Sequence, residues 1–334
     1  MRFSVIIPCH NAGPWIATTL NSVHEQTFRP HEIIVIDDSS SDNSLEQIEG
    51  SGVEVKIIKC NVQNAAAARN LGIQAATGDW IALLDADDVW YPNHLTRAVE
   101  LLEKGNDVAF MSNHDWISIK GEKIPMPKEI GCQFTAPRCG LSFQDFFTLK
   151  VIKFHFGHST VVYRKDRLME VGMFDISQQR RHDIDLWLRM IDKQTWTYDS
   201  IKGMGYREST PDSISKNERE CDYFYLKALD KNFKLTHSEY IFNHLLLESR
   251  RAMGIAFMEG PPEHFERIRE LALNYLPYAW KILYKLGDVC PAFTRLLFKI
   301  KRRLFNHHIA TKTIGLILTF WNFHENASQI LFVF

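Results

Sequence analysis

The sequence lacks a cysteine pattern and a membrane-length hydrophobic run, and it carries almost no net charge. Its six cysteines form no CxxC pair and no regular spacing, which predicts reduced thiols rather than disulfides or a zinc site. The longest apolar candidate, residues 314–321, is far shorter than the ~18 residues of a membrane span. A formal net charge of −1 gives no reason to expect nucleic-acid binding. Because the first residues lack a signal-peptide pattern, we expect a cytoplasmic protein.

Glycine-rich phosphate-binding motifs are also absent. The sequence contains neither GxGxxG nor GxxxxGK(S/T), so it lacks the dinucleotide fingerprint and the P-loop. Its 334 residues are 45% hydrophobic and 24% charged, which is typical of a folded protein with one large domain and an appendage. Bound phosphates would therefore need a metal ion in place of a glycine-rich loop.

Apolar segments alternate with helical patterns near the start of the chain, which indicates a parallel sheet covered by helices on both faces. The predicted strands are residues 3–7, 32–36, 53–58, 80–84 and 107–112, with a further strand at 159–163. Ligands bind such sheets at the carboxyl ends of the strands. Polar residues follow three of the strands and are expected to converge on one cleft; they are Asn11, Asp37, Asp38, Asp85, Asp87 and Asp88.

The acidic cluster ends an apolar run in the segment GDWIALLDADDVW, residues 78–90. Asp85 and Asp87 are two residues apart, so in extended chain they share a face. Two carboxylates held together repel each other unless a cation compensates them. Oxygen ligands favour a hard ion such as Mg²⁺ or Mn²⁺. A solvated acidic turn explains the same residues, and the pattern alone leaves both readings open.

Five motifs in order resemble family 2 of the glycosyltransferases, which have the GT-A fold. They are contained in SVIIPCHN, EIIVIDDSSSDNS, AAAARNLGIQAATGDWIALLDADD and RHDIDLWLRM, and the resemblance covers roughly residues 3–215. His10 stands where the family usually has tyrosine, and His182 stands where it usually has glutamate. The resemblance implies an α/β fold with a mostly parallel central sheet and helices on both faces.

This resemblance also implies a reaction and a donor site. A sugar would pass from a nucleotide diphosphate, most simply a UDP-sugar, to an acceptor hydroxyl with inversion. Asp87, assisted by Asp85, would hold Mn²⁺ or Mg²⁺, and Asp85 would alternatively meet the ribose. The remaining donor-nucleotide residues implied by the resemblance are Pro8, Asn11, Asp37, Asp38 and Arg69. Arg69 would either reach the diphosphate or form an ion pair with Asp37 or Asp85.

On the acceptor side, the resemblance makes Asp183 the general base. Its place near the start of a helix favours the ionised carboxylate, ready to take a proton at neutral pH. His182, Trp187 and Arg207 are the further acceptor-side candidates, and Arg207 is also a candidate for the diphosphate.

Two domains are expected: a GT-A catalytic domain, residues 1–215, and a mainly helical region, 216–334, associated with the acceptor or the membrane. Residues 295–305 form a basic amphipathic pattern that suits either an anionic membrane surface or packing on the main domain. The family's acceptors are glycans or lipid-linked glycans, which implies work in cell-surface polysaccharide synthesis at the inner face of the plasma membrane.

Two alternative functions stay open at this point. A non-catalytic module that binds a nucleotide sugar or a partner is compatible with the unusual His182. A sugar-nucleotide pyrophosphorylase would have a related sheet, but it would also carry a glycine-rich loop with a basic residue after the first strand. The segment PCHNAGP lacks that loop.

Overall fold

Strands and helices alternate as the hydrophobic pattern predicts. The structure is a computed structural model that describes residues 1–125, 136–148, 157–208, 218–259 and 262–276. The strands are β1 (Phe3–Cys9), β2 (Glu32–Asp38), β3 (Lys56–Cys60), β4 (Trp80–Leu83), β5 (Val89–Trp90), β6 (Ala109–Ile117), β7 (Lys123–Ile124), β8 (Arg138–Leu141), β9 (Val161–Arg164) and β10 (Trp196–Arg207). The helices are α1 (Ile16–His24), α2 (Ser44–Gly50), α3 (Ala65–Ala75), α4 (His94–Leu102), α5 (Phe143–Thr148), α6 (Lys165–Glu170), α7 (His182–Met190), α8 (Glu218–Thr236), α9 (Glu239–Glu259) and α10 (Pro262–Ala272).

The chain divides into two compact units, Met1–Phe242 and Asn243–Phe334. The domain boundary expected after residue 215 stays a prediction. The basic segment 295–305 and the apolar segment 314–321 lie outside the described residues. Within the described residues, none of the helices combines the length and the apolar character needed to cross a bilayer.

One mixed sheet carries the first unit. Its strand order is β3-β2-β1-β4-β9-β6-β10-β5, with β7 paired to β6 and β8 paired to β10. Strands β3, β2, β1 and β4 are parallel, whereas β9 is antiparallel to both of its neighbours, β4 and β6. The α/β class with a central sheet and helices is thus confirmed. The sheet is less parallel than predicted, because β9 separates β4 from β6.

Alternation along β1 explains how helices cover both faces of the sheet. Phe3, Val5 and Ile7 belong to the apolar core that also contains residues of α1. Ile6 lies on the opposite face of the sheet and points towards α3. A Cβ atom added to Gly72 of α3 would lie 2.4 Å from the Cγ2 atom of Ile6. The missing side chain of Gly72 therefore lets α3 pack close to the sheet.

Parallel pairing brings the carboxyl ends of β1, β2 and β3 to one edge, since Cys9 pairs with Asp37 and Asp38 pairs with Cys60. The loops beyond these ends are tied together by side chains. The Asn11 Oδ1 atom accepts a hydrogen bond of 2.8 Å from the Ser41 backbone N–H, and the Ser44 hydroxyl accepts one of 2.8 Å from the Ala12 N–H. These hydrogen bonds hold the polar loops together at this edge of the sheet.

Helix α8 is attached to α7 through Asp185, a fully buried carboxylate. Asp185 pairs with Arg189 at 2.6 Å and with Lys231 at 2.9 Å, and it accepts a hydrogen bond of 3.0 Å from the Asn232 amide. The sequence leaves Asp185 as either a solvated helix acid or a residue that supports the site residues through a contact, and its burial excludes the first alternative. The carboxylate serves as a buried anchor between two helices.

We expect Asp185→Ala to lower the free energy of unfolding by about 3 kcal/mol, because it leaves Arg189 and Lys231 without their buried counter-charge. Urea denaturation followed by circular dichroism measures this change. The matched control is Asp166→Ala, which removes an exposed surface pair with Arg164 and should change stability by less than about 1 kcal/mol. Equal losses in the two variants would contradict the anchoring role.

Candidate active site

A cleft of about 730 Å³ lies at the carboxyl ends of β1, β2 and β4, and α7 contributes its other wall. Its size suits a ligand larger than a single sugar. The polar side chains that line it are His10, Asn11, Asp38, Gln63, Asn64, Arg69, Asp85, Asp87, His158, Arg180, Arg181, His182, Asp183 and Tyr206. The convergence predicted from the sequence is therefore present for Asn11, Asp38, Asp85 and Asp87. Asp183, from the far end of the motif series, lies in the same cleft.

Asp38 and Asp37 differ in their surroundings. Asp38 lines the cleft, and its Oδ1 atom accepts hydrogen bonds from the backbone N–H groups of Val62 at 2.7 Å and Gln63 at 3.0 Å. Its Oδ2 atom accepts a third bond, from the Asn64 N–H at 3.1 Å. Asp37 is buried, and its Oδ1 atom has no hydrogen-bond partner among the described residues. Of the two, only Asp38 lines the cleft.

The first wall of the cleft consists of Pro8, His10 and Asn11. The His10 Nδ1–H group donates to the Asp38 carbonyl at 2.7 Å, so its Nε2 atom accepts from the Asn11 amide at 3.3 Å. Asn11 and Gln63 both have positive φ angles, of 50° and 47°. Non-glycine residues rarely adopt this conformation, and such strain concentrates at functional sites.

The three acidic residues of the DADD segment have three different environments. Asp85 forms an ion pair of 2.5 Å with Arg69. Asp88 is buried; its carboxylate accepts from the Ser159 hydroxyl at 2.6 Å and from the Arg207 N–H at 2.9 Å. Burial, followed by repulsion from Asp87 and Asp85, raises the pKa of Asp88 well above its ordinary value. Asp88 therefore ties the acidic loop to Ser159 and Arg207 inside the protein, whereas Asp85 and Asp87 line the cleft.

The Arg207 side chain also contacts the acidic loop, on the side away from the cleft. Its Nε–H donates to the Asp87 carbonyl at 2.7 Å, and its Nη1 donates to the carbonyls of Ser118 at 3.1 Å and Ile119 at 2.7 Å. Burial lowers the pKa of Arg207. Arg207 is not among the described residues that line the cleft. The side chain expected at the acceptor or the diphosphate thus contacts backbone carbonyls, because β10 pairs Arg207 with Ile117 at the end of β6, next to Ser118 and Ile119.

Arg69 bridges the acidic loop and α7. Its Nη2 atom bonds Asp85, and its Nη1 atom donates to the Nε2 atom of His182 at 3.0 Å. The His182 ring stacks on His158, with centroids 5.2 Å apart and planes 3° apart. Burial, followed by the nearby Arg69 charge, lowers the pKa of His182 to about 3. His182 is therefore a neutral partner of Arg69, and its Nε2 atom is already engaged on the wall of the cleft.

We expect Arg69→Gln to lower the free energy of unfolding by about 2 kcal/mol, because Asp85 would lose its ion-pair partner while it stays close to the carboxylates of Asp87 and Asp88. Added Mn²⁺ should restore part of the loss, since a divalent ion supplies the missing charge. Chemical denaturation with and without Mn²⁺ measures both effects. Stability equal to that of the wild type without metal would show that Arg69 does not balance the charge of Asp85.

Asp183 lies in the first turn of α7, where its Oδ1 atom accepts a hydrogen bond of 2.8 Å from the Ile184 N–H. Burial raises the pKa of Asp183, and this effect outweighs the opposing influences of Arg181, the Ile184 N–H and Arg69. The start of a helix was expected to lower the pKa of Asp183, but the net change in this pKa is an increase. The structure places a more basic carboxylate at this position than a solvated aspartate would be.

Trp187 is a core residue rather than a cleft residue. It is 2% exposed, and its Nε1–H donates to the Tyr163 hydroxyl at 2.6 Å. It is not among the described residues that line the cleft. Trp187 was expected on the acceptor side, but the inward face of α7 carries it into the interior beside β9.

Several cleft residues were not singled out from the sequence. Arg180 and Arg181 directly precede the His-Asp pair, so their place next to that motif could have indicated that they line the cleft. His158 and Tyr206 carried no local signal; His158 lies shortly before β9, and Tyr206 lies near the end of β10. The position of His158 depends on the antiparallel insertion of β9, and that of Tyr206 on the pairing of β10 with β6, neither of which sequence periodicity specifies.

The cleft contains oxygen ligands but not a complete metal site. Among the described residues, no group of three or more His, Cys, Asp or Glu side chains is arranged to hold a metal ion. Asp85 is engaged by Arg69, and Asp87 adds a second carboxylate on the same loop. Mg²⁺ and similar hard ions are often held by one or two carboxylates together with substrate phosphates and water. The side chains present fit that shared arrangement.

Comparison with known proteins places the chain among sugar transferases. The model of glycosyl transferase family 2 matches residues 4–170, which is half of the chain. The chain is 38% identical over 110 residues to the amylovoran biosynthesis glycosyltransferase AmsB of Erwinia amylovora, covering 31% of this chain and 36% of AmsB.

A second relative is the UDP-Glc:alpha-D-GlcNAc-diphosphoundecaprenol beta-1,3-glucosyltransferase WfgD of Escherichia coli. The identity is 35% over 144 residues, which covers 41% of this chain and 56% of WfgD. The chain therefore aligns with between about a third and a little over half of the length of these curated relatives.

Solved structures show the same fold at low sequence identity. TarS 1-349 of S. aureus, in complex with UDP-GlcNAc, matches with a TM-score of 0.58 and 16% identity over 91% of this chain and 92% of TarS. The mannosyltransferase PcManGT of Pyrobaculum calidifontis, in complex with GDP-Man and Mn²⁺, matches with a TM-score of 0.51 and 14% identity over 93% of this chain and 82% of PcManGT. The GT-A fold is thereby confirmed, and with the family match over half of its length the chain belongs to glycosyl transferase family 2.

Proposed function

We propose that this protein transfers a sugar from a UDP-sugar to a hydroxyl of a glycan or lipid-linked acceptor, with inversion at the anomeric carbon. One observation carries the proposal: a single cleft holds the acidic loop with Asp85 and Asp87 together with Asp183 on α7. The reaction needs compensation of charge on the leaving diphosphate and a base for the attacking hydroxyl. These two groups of residues supply both.

Asp38 would recognise the donor base. Three backbone N–H groups and the Cys60 thiol hold its carboxylate, and the Oδ2 atom, which accepts from the Asn64 N–H, has capacity for a further donor such as the ring N–H of uracil. Pro8 and Asn11 would form the wall beside the base. A relative and a structural neighbour support a uridine donor, since WfgD is a UDP-Glc-dependent glucosyltransferase and TarS 1-349 was solved in complex with UDP-GlcNAc.

Asp87, with Asp85, would hold Mn²⁺ or Mg²⁺ on the diphosphate side. When bound, such an ion neutralises charge that develops on the leaving diphosphate. Arg69 keeps Asp85 oriented and adds a fixed positive charge at the same place. Arg207 ties this loop to β10, since its backbone N–H donates to the Asp88 carboxylate and its Nε–H donates to the Asp87 carbonyl.

Asp183 would take the proton from the acceptor hydroxyl as that oxygen attacks the sugar. A pKa raised by burial makes the ionised carboxylate a stronger base than a solvated aspartate. An acceptor carried on a lipid would place the reaction at the inner face of the plasma membrane. Residues 295–305, which lie outside the described part of the chain, would then provide peripheral membrane contact.

The direct test of this function is release of nucleoside diphosphate from a panel of UDP-, dTDP- and GDP-sugars in the presence of Mn²⁺. We expect turnover with a uridine donor, including slow transfer to water when no acceptor is added. A protein that binds UDP but never releases it from any donor would be a binding module rather than a transferase.

The pH dependence of donor hydrolysis tests the role of Asp183. The base works only when ionised, so the rate falls on the acid side of its pKa. Because burial raises this pKa, the fall should begin at higher pH than the value of ~3.9 for an ordinary aspartate implies. Arg181 opposes the shift, so Arg181→Ala should move the fall to still higher pH. A kcat/KM that stays constant down to pH 4 would exclude Asp183 as the base.

A further inference from the structure

An aromatic cluster borders the cleft at β10, and the proposed chemistry does not use it. The cluster consists of His114 and Trp116 of β6 and Tyr206 of β10. Tyr206 pairs with Trp116 across the two strands, and His114 lies two residues before Trp116, so the three side chains share one face of the sheet. Tyr206 lines the same cleft as Asp183. The cluster therefore extends from β6 to the cleft that holds the proposed base.

Contacts within the cluster fix the orientation of its rings. The ring centroids of Trp116 and Tyr206 are 6.1 Å apart, with planes tilted by 54°. The buried His114 ring makes a T-shaped contact with Tyr206 at 6.2 Å, and its Nε2 atom accepts a hydrogen bond of 3.3 Å from the Trp116 Nε1–H group. Trp116 and Tyr206 themselves are half-buried. Rings that are already held in place lose little conformational entropy when a ligand packs on them.

The position of Tyr206 suits a sugar rather than the nucleotide of the donor. Asp38 ends β2 and the acidic loop follows β4, whereas Tyr206 lies near the end of β10. In the strand order of the sheet, β4 stands between β2 and β10. A donor with its uracil at Asp38 and its diphosphate at the acidic loop therefore leaves the region around Tyr206 for sugar units.

Gly157 leaves space beside the Tyr206 ring. It lines the cleft directly before the short 3₁₀ helix His158–Thr160. Among the described residues, only the Cδ2 atom of Tyr206 lies within 4 Å of a Cβ atom added to Gly157, at 4.0 Å. The backbone of Gly157 is extended, with φ −84° and ψ 167°, and other residues adopt this conformation equally well. The backbone does not require glycine here, and the missing side chain leaves room for a ligand against the ring.

We propose that Tyr206 and Trp116 form a stacking surface for a pyranose ring of the acceptor, and that this surface selects rings of the gluco configuration. The inference rests on the proposed function and specifies the acceptor sugar. A gluco-configured ring carries its ring hydroxyls at the rim, so its C–H bonds form apolar faces that pack on aromatic rings. An axial hydroxyl, as in galactose, would press a polar group against the ring without a hydrogen-bond partner.

The test fills the donor site with UDP and Mn²⁺ and then titrates methyl glycosides, followed by nuclear magnetic resonance. The probes are methyl β-glucopyranoside, its N-acetylglucosamine counterpart and methyl β-galactopyranoside. Wild-type protein should bind at least one gluco-configured probe, and should bind it more tightly than the galactoside. Tyr206→Ala and Trp116→Leu should weaken this binding by about fivefold or more, and Tyr206→Phe should stay within about twofold of the wild type because it keeps the ring.

A second variant tests the surface without removing a ring. Gly157→Leu places a side chain beside Tyr206 on a backbone that accepts it, so this variant should also weaken probe binding while UDP affinity is retained. The matched control is Tyr240→Ala, which removes an exposed tyrosine of α9 and should change neither affinity. Retained UDP affinity shows that each variant is folded.

Several results would overturn the proposal. One is that the wild type loaded with UDP binds neither gluco-configured probe, or binds the galactoside equally well. Another is that Tyr206→Ala and Gly157→Leu bind the probes as the wild type does. Equal losses in Tyr206→Phe and Tyr206→Ala would assign the effect to the hydroxyl instead of the ring. Weaker binding of UDP-glucose relative to UDP, with probe binding intact, would assign the ring to the donor's sugar. Failure of the wild type to bind UDP would instead overturn the proposed function.

Discussion

Asp183→Asn should reduce sugar transfer by 10²- to 10⁴-fold while the affinity for UDP stays unchanged, because general-base catalysis contributes about that much. Asparagine has nearly the same shape and can still accept the hydrogen bond from the Ile184 N–H, so the start of α7 should remain intact. What it loses is the capacity to accept a proton. Steady-state release of UDP and equilibrium binding of UDP, measured on the same preparation, separate the two effects.

The matched control for this variant is Asp166→Asn, which makes the same chemical change at an exposed position in the first turn of α6. It should leave transfer unchanged. If Asp183→Asn retained wild-type turnover, Asp183 would have no part in proton transfer. If it lost UDP binding and turnover together, the residue would be structural.

Asp87→Asn should weaken Mn²⁺-dependent binding of UDP by at least tenfold, with little effect on binding in the absence of metal. The amide removes the negative charge that a divalent cation requires but keeps the size of the side chain. The Asp87 carbonyl still accepts from Arg207, so the loop should hold its shape. Calorimetric titration of UDP with Mn²⁺ and with a chelator measures the difference.

Asp79→Asn is the control for this second variant. Asp79 precedes β4 at the end of the strand opposite to the acidic loop, and it pairs with Arg2 at the surface. This substitution should leave metal-dependent binding as it is in the wild type. Undiminished binding by Asp87→Asn would remove Asp87 from the metal site and leave Asp85 as the remaining carboxylate on that loop.

The sequence predicted which residues line the cleft where these residues directly follow a strand of the parallel sheet. Asp38, Asp85 and Asp87 follow apolar runs of a parallel sheet, so their meeting at one edge could be predicted. The choice between Asp37 and Asp38 could not. Both faces of β2 are buried, and hydrophobic alternation therefore gives no sign of which side chain turns towards the ligand.

The sequence was uninformative where long-range packing decides. The antiparallel β9 enters between β4 and β6, and it brings Ser159 to Asp88 and His158 to His182. No local pattern specifies that insertion. Asp183 shows the same limitation for electrostatics, since a helix start lowers the pKa of a carboxylate but the burial that raises it depends on the assembled cleft.

The contact between His182 and Arg69 explains what a histidine does at the position where the family usually has glutamate. A glutamate at this position would pair with Arg69 and compete with Asp85 for its charge. The neutral histidine instead accepts one hydrogen bond and leaves the ion pair between Arg69 and Asp85 in place. The positive charge of Arg69 thus stays directed at the acidic loop.

The proposed function requires that this cleft bind a uridine diphosphate sugar together with a divalent cation. Thermal unfolding of the wild-type protein with Mn²⁺ and a panel of nucleotide sugars tests this requirement. We predict that one or more UDP-sugars, at 100 to 1,000 times the dissociation constant, stabilise the fold by ~2.7–4.1 kcal/mol, and that a chelator removes most of this effect. Unchanged unfolding with every nucleotide sugar in the presence of Mn²⁺ would contradict the account.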